Sequence, residues 1–247
     1  MMRPIVIHCA MDVEIDFLKK KIVDLKKNIY GNFIIYEGMF NGYPVILNVS
    51  GVGIINAASD IMYVIDKYNP LCVINLGIVG SCSDKIHRND LVVGNKCLNI
   101  NSYKTSYLDR GKGSDYKSWN IITFKEGVDE LVYWNCNNIL LNIINNISGK
   151  YLYGNIINGV IGSGDVWNSE VDRLLFLSDK YGVVCSDMEC VSVYIVCNNF
   201  NVPAISLKVV SDNIILGEDY DREVSNNMEN ILLVYINEVI MCKDFIN

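Results

Sequence analysis

Short apolar runs, each ending near glycine, serine or an acid, do most to limit what this chain can fold into. Ile5-Val6-Ile7 leads to Met11-Asp12-Val13-Glu14. Tyr43 to Val49 runs into Ser50-Gly51-Val52-Gly53, and Cys72 to Leu76 into Gly77-Ile78-Val79-Gly80-Ser81. Val160-Ile161 closes on Gly162-Ser163-Gly164-Asp165-Val166-Trp167-Asn168, and Ala204 to Val210 on Ser211-Asp212-Asn213. Runs this short and this apolar read as buried strands. Helical spacing lies between them. Apolar residues at 13, 17, 18, 22 and 25 make one face of a first helix, and residues 128–148, Cys190 to Cys197 and 224–242 read as further helices. Asn41-Gly42, between Phe33–Gly38 and Tyr43–Val49, is a strong hairpin turn. Strands alternating with helices after one early hairpin predict a single α/β domain, 1–247, with a mixed central sheet.

Composition narrows the function classes. The formal net charge of −7 argues against nucleic acid and anionic membranes as partners. The two histidines and nine scattered cysteines include no Cys-x-x-Cys pair, so the usual zinc spacings are missing and no metal is expected. An odd, scattered set of cysteines predicts reduced thiols packed as small apolar side chains in a cytoplasmic protein. No apolar run approaches the ~18 residues of a membrane span, and the N-terminal one is too short for a signal sequence. Residues 101–119, polar and irregular with Tyr103, Tyr107, Tyr116 and Trp119, form a loop of the length that is usually functional or covered by a partner.

Three acids stand at strand ends, where open α/β sheets keep their ligands. Asp212 follows the run Ala204 to Val210, and its neighbours Ser211 and Asn213 suit a turn or helix cap equally well. Glu14 falls in the first turn of the predicted first helix, so it either answers the helix dipole or faces the strand-end crevice. Glu189 sits in Asp187-Met188-Glu189, just before an apolar helix. Trp167 is either core filler or the wall of a flat ligand's site. Ser50-Gly51-Val52-Gly53 permits close backbone approach to a ligand but matches neither a phosphate-binding loop nor a dinucleotide fingerprint.

Seven stretches in order tie these residues together: Ala10-Met11-Asp12-Val13-Glu14, Ser50-Gly51-Val52-Gly53, Asn75-Leu76-Gly77-Ile78-Val79-Gly80, Ser163-Gly164-Asp165, Asp187-Met188-Glu189, Asn199-Phe200-Asn201-Val202-Pro203 and Ser211-Asp212. The chain resembles the nucleoside phosphorylase-I superfamily over nearly its whole length, and within it the methylthioadenosine/S-adenosylhomocysteine nucleosidases. The resemblance implies a sheet that is partly barrel-like and flanked by helices, and hydrolysis of a purine nucleoside without metal or organic cofactor. It implies that Glu14 activates water, that Glu189 accepts from the ribose hydroxyls with Met188 against the sugar, and that Asp212, supported by Ser211, meets N7 of the leaving base. Trp167 stacks on that base, flanked by Val166 and Asn168, and Met11, Ile78 and Lys208 complete the expected substrate contacts. The loop near 101–113 is expected to close a neighbouring subunit's pocket in a homodimer.

The chain departs from the family pattern at three of these positions. Phosphorolytic relatives place arginine and serine where Asn75 and Ile78 stand, which supply neither the charge nor the fork that phosphate recognition uses. Hydrolysis is therefore favoured over phosphorolysis. Ile78 also stands where the nucleosidases have serine, and Lys208 where they have arginine. Asn168 replaces an apolar residue. These departures leave open a phosphorylase with a rearranged phosphate site, and a binding protein of weakened turnover.

Overall fold

The computed structural model describes residues 2–113, 115–124 and 130–242. In chain order the elements are β1 (Ile5–Cys9), a 3-10 turn (Asp12–Ile15) running into α1 (Asp16–Lys19), β2 (Val23–Tyr30), β3 (Phe33–Phe40), β4 (Tyr43–Val49), α2 (Ile54–Tyr68), β5 (Cys72–Ser81) and β6 (Leu91–Asn99). Then follow β7 (Tyr103–Lys104), β8 (Asn120–Ile121), β9 (Trp134–Asn135), α3 (Asn138–Asn146), β10 (Ile156–Ser163), α4 (Val171–Tyr181), β11 (Val183–Asp187), α5 (Cys190–Asn199), β12 (Ala204–Asp212) and α6 (Glu229–Met241).

Ten strands form one mixed sheet in the order β11-β10-β6-β12-β5-β1-β4-β3-β2, with β9 on β6. β11 also pairs with β5, antiparallel, at Cys185 opposite Ser81 and Ser186 opposite Gly80. That pairing closes β11, β10, β6, β12 and β5 into a ring, so one end of the sheet is a barrel and the other an open, twisted sheet. β1, β5 and β12 run parallel side by side, and Lys208 lies opposite Gly77. Their side chains Ile5, Val6, Ile7, Ile74, Leu76, Val209 and Val210 are at or near zero exposure. Each such apolar side chain contributes roughly 1.5–3 kcal/mol by leaving water. All three parallel strands deliver their C-terminal ends to one rim. Among the described residues no helix is long and apolar enough to cross a membrane. The nine cysteines are unpaired, and all but the half-buried Cys242 are buried.

The early hairpin forms where the sequence places it, with Asn41 and Gly42 both at positive φ. Other boundaries move. The predicted first helix stops at Lys19, and residues 23–30 become edge strand β2 against β3. This strand is mostly exposed, so it carries no alternation of buried and polar positions to announce it. The predicted helix 128–148 shortens to α3. Residues 125–129 lie outside the described residues, Trp134–Asn135 pairs with Lys96 and Cys97, and the Asn137 side chain caps the helix by accepting from the Ile139 and Leu140 N–H groups. The closing helix splits into a 3-10 segment, Arg222–Met228, and α6. α4 was not anticipated, and it ends on Gly182 in the left-handed conformation.

Candidate active site

The common rim of β1, β5, β11 and β12 surrounds a cavity of about 140 Å³. Glu14 reaches it from the turn after β1. Its Oε2 accepts from the Ala10 and Met11 N–H groups at 3.1 and 2.9 Å, and its Oε1 from the Ile78 N–H at 3.2 Å. Glu189 reaches it from the residue before α5, with Oε1 accepting from the Gly53 N–H at 2.9 Å. Gly53 has φ +105, and a Cβ there would stand 2.9 Å from Asp165 Oδ1. Only a bare backbone can therefore offer its N–H to Glu189 at this junction. Asp165 in turn accepts from the Ile54 N–H at 2.8 Å and caps α2.

Asp212 enters from the end of β12. The Ser211 hydroxyl donates to its Oδ1 at 2.6 Å and so fixes the carboxyl, while Oδ2 faces Gly80. Trp167 stands at the mouth, 73% exposed, edge-on to Tyr220 with ring centroids 5.5 Å apart. Its exposure excludes the core-filler alternative. The Asn168 Oδ1 accepts from the Glu170 N–H.

Burial sets the electrostatics. It pushes Glu189 up to about 7, against the pull of Lys208. It raises Glu14 too, with Lys208 and the three N–H donors opposing, and raises Asp212 against the Ser211 hydrogen bond. Acids held above the ordinary carboxylate range, facing one cavity, are suited to moving protons near neutral pH. Among the described residues no group of three or more His, Cys, Asp or Glu is arranged to hold a metal ion.

Met11, Ile78, Val166, Trp167, Asn168, Met188 and Ser211 line this cavity together with the three acids. Lys208 is the exception among the predicted substrate contacts. It is 2% exposed and lies behind the wall, its Nζ 3.1 Å from Asp187 Oδ2 and donating to Leu76 O. Seven cavity residues were not among the expected contacts, Ala10, Val79, Gly80 and Ser186 beside Val52, Asp187 and Tyr220. Val52 and Asp187 lie inside motifs already noted. Tyr220 has no local signal; it arrives because Asn213 and Glu218 bridge and turn the chain back over the mouth.

The profile of the Phosphorylase superfamily matches residues 4–236. This chain belongs to that superfamily. Among curated superfamily proteins it is similar to the 5'-methylthioadenosine/S-adenosylhomocysteine nucleosidase of Staphylococcus haemolyticus, 27% identical over 208 residues, 82% of this chain and 83% of the relative. The enzyme of the same name from Buchnera aphidicola subsp. Acyrthosiphon pisum is 29% identical over 227 residues, covering 90% and 88%. Among solved structures, the nucleosidase of Neisseria meningitidis in complex with methylthio-immucillin-A superposes with a TM-score of 0.80 at 19% identity, over 96% of this chain and 100% of that one. A futalosine hydrolase mutant of Helicobacter pylori superposes with a TM-score of 0.78 at 20% identity, over 96% and 100%. The partly closed sheet and its flanking helices are thus the superfamily's fold.

Proposed function

We propose that this chain is a purine nucleosidase that hydrolyses the N-glycosidic bond of 5'-methylthioadenosine and S-adenosylhomocysteine and releases adenine. The convergence of Glu14, Glu189 and Asp212 on one cavity carries this reading. The names of the curated relatives support the substrate. The described cavity wall contains no lysine or arginine, and Asn75 is fully buried against His8 and Ser206. A phosphate dianion would find no cation there, so water is the nucleophile.

Breaking a ribosyl C–N bond passes through an oxocarbenium-like sugar, as glycoside hydrolysis does. Asp212 is the acid. Burial raises its pKa and so favours the protonated form, and Oδ2, not engaged by Ser211, is the oxygen that hands the proton to the base. Glu189 keeps Oε1 on the Gly53 N–H and offers Oε2 to the ribose hydroxyls, placing negative charge beside the cation as it forms. Glu14, clamped by three backbone N–H groups, takes the proton of the attacking water. Trp167 supplies a flat face for the base at the mouth.

The chain works as one domain, 1–247, and as a cytoplasmic homodimer in which the loop 101–113 covers the neighbouring copy's cavity. Tyr107 and Leu108 on that loop are exposed, as are Val52 and Ile55 beside the cavity mouth, which supports this reading. The deciding assay incubates the protein with 5'-methylthioadenosine with and without phosphate. Adenine and free methylthioribose should appear in both. Strict phosphate dependence would make the protein a phosphorylase, and a thermal shift without base release would make it a binding protein.

A further inference from the structure

Beneath the cavity floor sits a cation that no substrate can touch. Lys208 is buried, does not line the cavity, and holds both Asp187 Oδ2 at 3.1 Å and Leu76 O at 3.0 Å. Gly77 shows how closely it approaches the acids. A Cβ at Gly77 would stand 2.9 Å from Lys208 Nζ and 2.7 Å from Glu14 Oε1, so ammonium and carboxylate flank one bare α-carbon. Glu189, two residues beyond Asp187, faces the same ammonium.

We propose that Lys208 is a positioning residue. Its ammonium, fixed between Asp187 and the Leu76 carbonyl, shares one positive charge among Asp187, Glu189 and Glu14, and so sets the pH range in which Glu189 accepts the ribose hydroxyls. The inference rests on the nucleosidase reading of the site. Glu14 and Glu189 are buried beside Asp187 around one ammonium, where like charges disfavour one another and the shared cation favours the ionised form. Burial and Asp187 push Glu189 up, and Lys208 pulls it down. Burial works against the ammonium as well, but Asp187, Glu189 and Glu14 outweigh it and hold Lys208 above the ordinary lysine value. The other titratable groups facing it are Cys190 on α5, Cys185 on β11, and Cys9 and His8 on β1. Burial raises the Cys9 and Cys185 thiols well above their usual range and lowers His8 to about 4, so these three stay uncharged near neutral pH.

The test uses the full chain and a C-nucleoside analogue of adenosine, whose glycosidic carbon–carbon bond cannot be hydrolysed. Its Kd is measured by calorimetry from about pH 5 to about pH 9, beside adenine release from 5'-methylthioadenosine. The wild type should bind more weakly on the acid side as Glu189 gains its proton. In Lys208→Met that limb should move up by more than about one pH unit, and Lys208→Arg should keep it within about half a unit. Asp187→Asn removes a like charge and frees the ammonium for Glu189, so its limb should move down. A purely structural role would weaken binding and leave every limb in place, and that result overturns the proposal. Should Lys208→Met not fold, an Asp187→Asn limb coincident with wild type still overturns it. Wild type that binds the analogue but releases no adenine defeats the hydrolase reading and leaves the binding test intact. Wild type that does not bind defeats both.

Discussion

Two clusters of buried polar side chains draw on β1, β5 and β12, and only one opens to solvent. In the closed cluster His8 Nδ1 meets Asn75 Oδ1 at 3.1 Å, Asn75 Nδ2 donates to Ser206 Oγ at 3.0 Å, and Ser206 Oγ meets Cys190 Sγ at 3.0 Å. Beside it Asn48 donates to Asp60, His8 Nε2 stands 3.7 Å from Asp60 Oδ2, and among the described residues His8 Nε2, Asn48 Oδ1 and Asp60 Oδ1 have no hydrogen-bond partner. In the open cluster, backbone N–H groups or a neighbouring hydroxyl hold one oxygen of Glu189 and of Asp212, and no protein group among the described residues engages the other. Burial pushes Asp60 up to about 7, the same range as Glu189. A perturbed acid is therefore not enough to mark a site in this fold. Nor is an oxygen without a hydrogen bond, since Asp60 Oδ1 also has none; what separates the two is a mouth through which a ligand can reach that oxygen.

The largest expected effect breaks the open cluster at its acid. Asp212→Asn keeps an acceptor for the Ser211 hydroxyl and removes only the proton for the base. Turnover of 5'-methylthioadenosine should fall roughly 10²–10⁴-fold, the usual worth of a positioned general acid, while calorimetry still detects nucleoside binding. Near-normal turnover would show that the acid lies elsewhere.

The next effect compares the two raised acids directly. Both have folded pKa values above the unfolded carboxylate value, so each favours its protonated form in the fold. The stability they contribute is complete below about pH 4 and is lost as pH rises through about 7. Glu189→Gln and Asp60→Asn cannot ionise, so each should stabilise the ligand-free protein at about pH 8 by up to roughly 3 kcal/mol, read as a higher Tm, with the difference closing near pH 4. Only Glu189→Gln should also weaken nucleoside binding. Equal loss of binding in both variants would mean that the closed cluster communicates with the cavity.

How much of this was readable beforehand follows the same division. The open cluster was legible because each acid ends a buried run, and strand ends in this architecture share one rim. Lys208 was misplaced for a physical reason. Sequence shows that it adjoins the site but not that Asp187, on a strand from elsewhere in the chain, draws its ammonium inward. The closed cluster was invisible, since His8 finds its partner Asn75 across 67 residues, His8 has no local motif, and the motif that contains Asn75 does not point to His8. β2 was lost because Val23, Leu25 and Ile29 sit on an exposed edge where helical and strand spacing look alike. Tyr220 depends on the Asn213–Glu218 turn, which no apolar periodicity announces.

The smallest effects form a pair that should separate cleanly. Asn75→Ala removes one link of the closed cluster, leaving His8 Nδ1 buried without its partner and Ser206 Oγ with Cys190 Sγ alone. A buried polar group without its partner costs about 1–3 kcal/mol, so Tm should fall while kcat/KM stays close to wild type. Trp167→Ala removes a ring that is 73% exposed and packs on little besides Tyr220. Tm should hardly move, while KM should rise roughly 3–10-fold, since an aromatic contact is worth about 0.5–1.5 kcal/mol. If Asn75→Ala changed KM, or Trp167→Ala changed Tm, stability and recognition would share residues, and the division between a closed cluster that holds the strands and an open one that handles the nucleoside would fail.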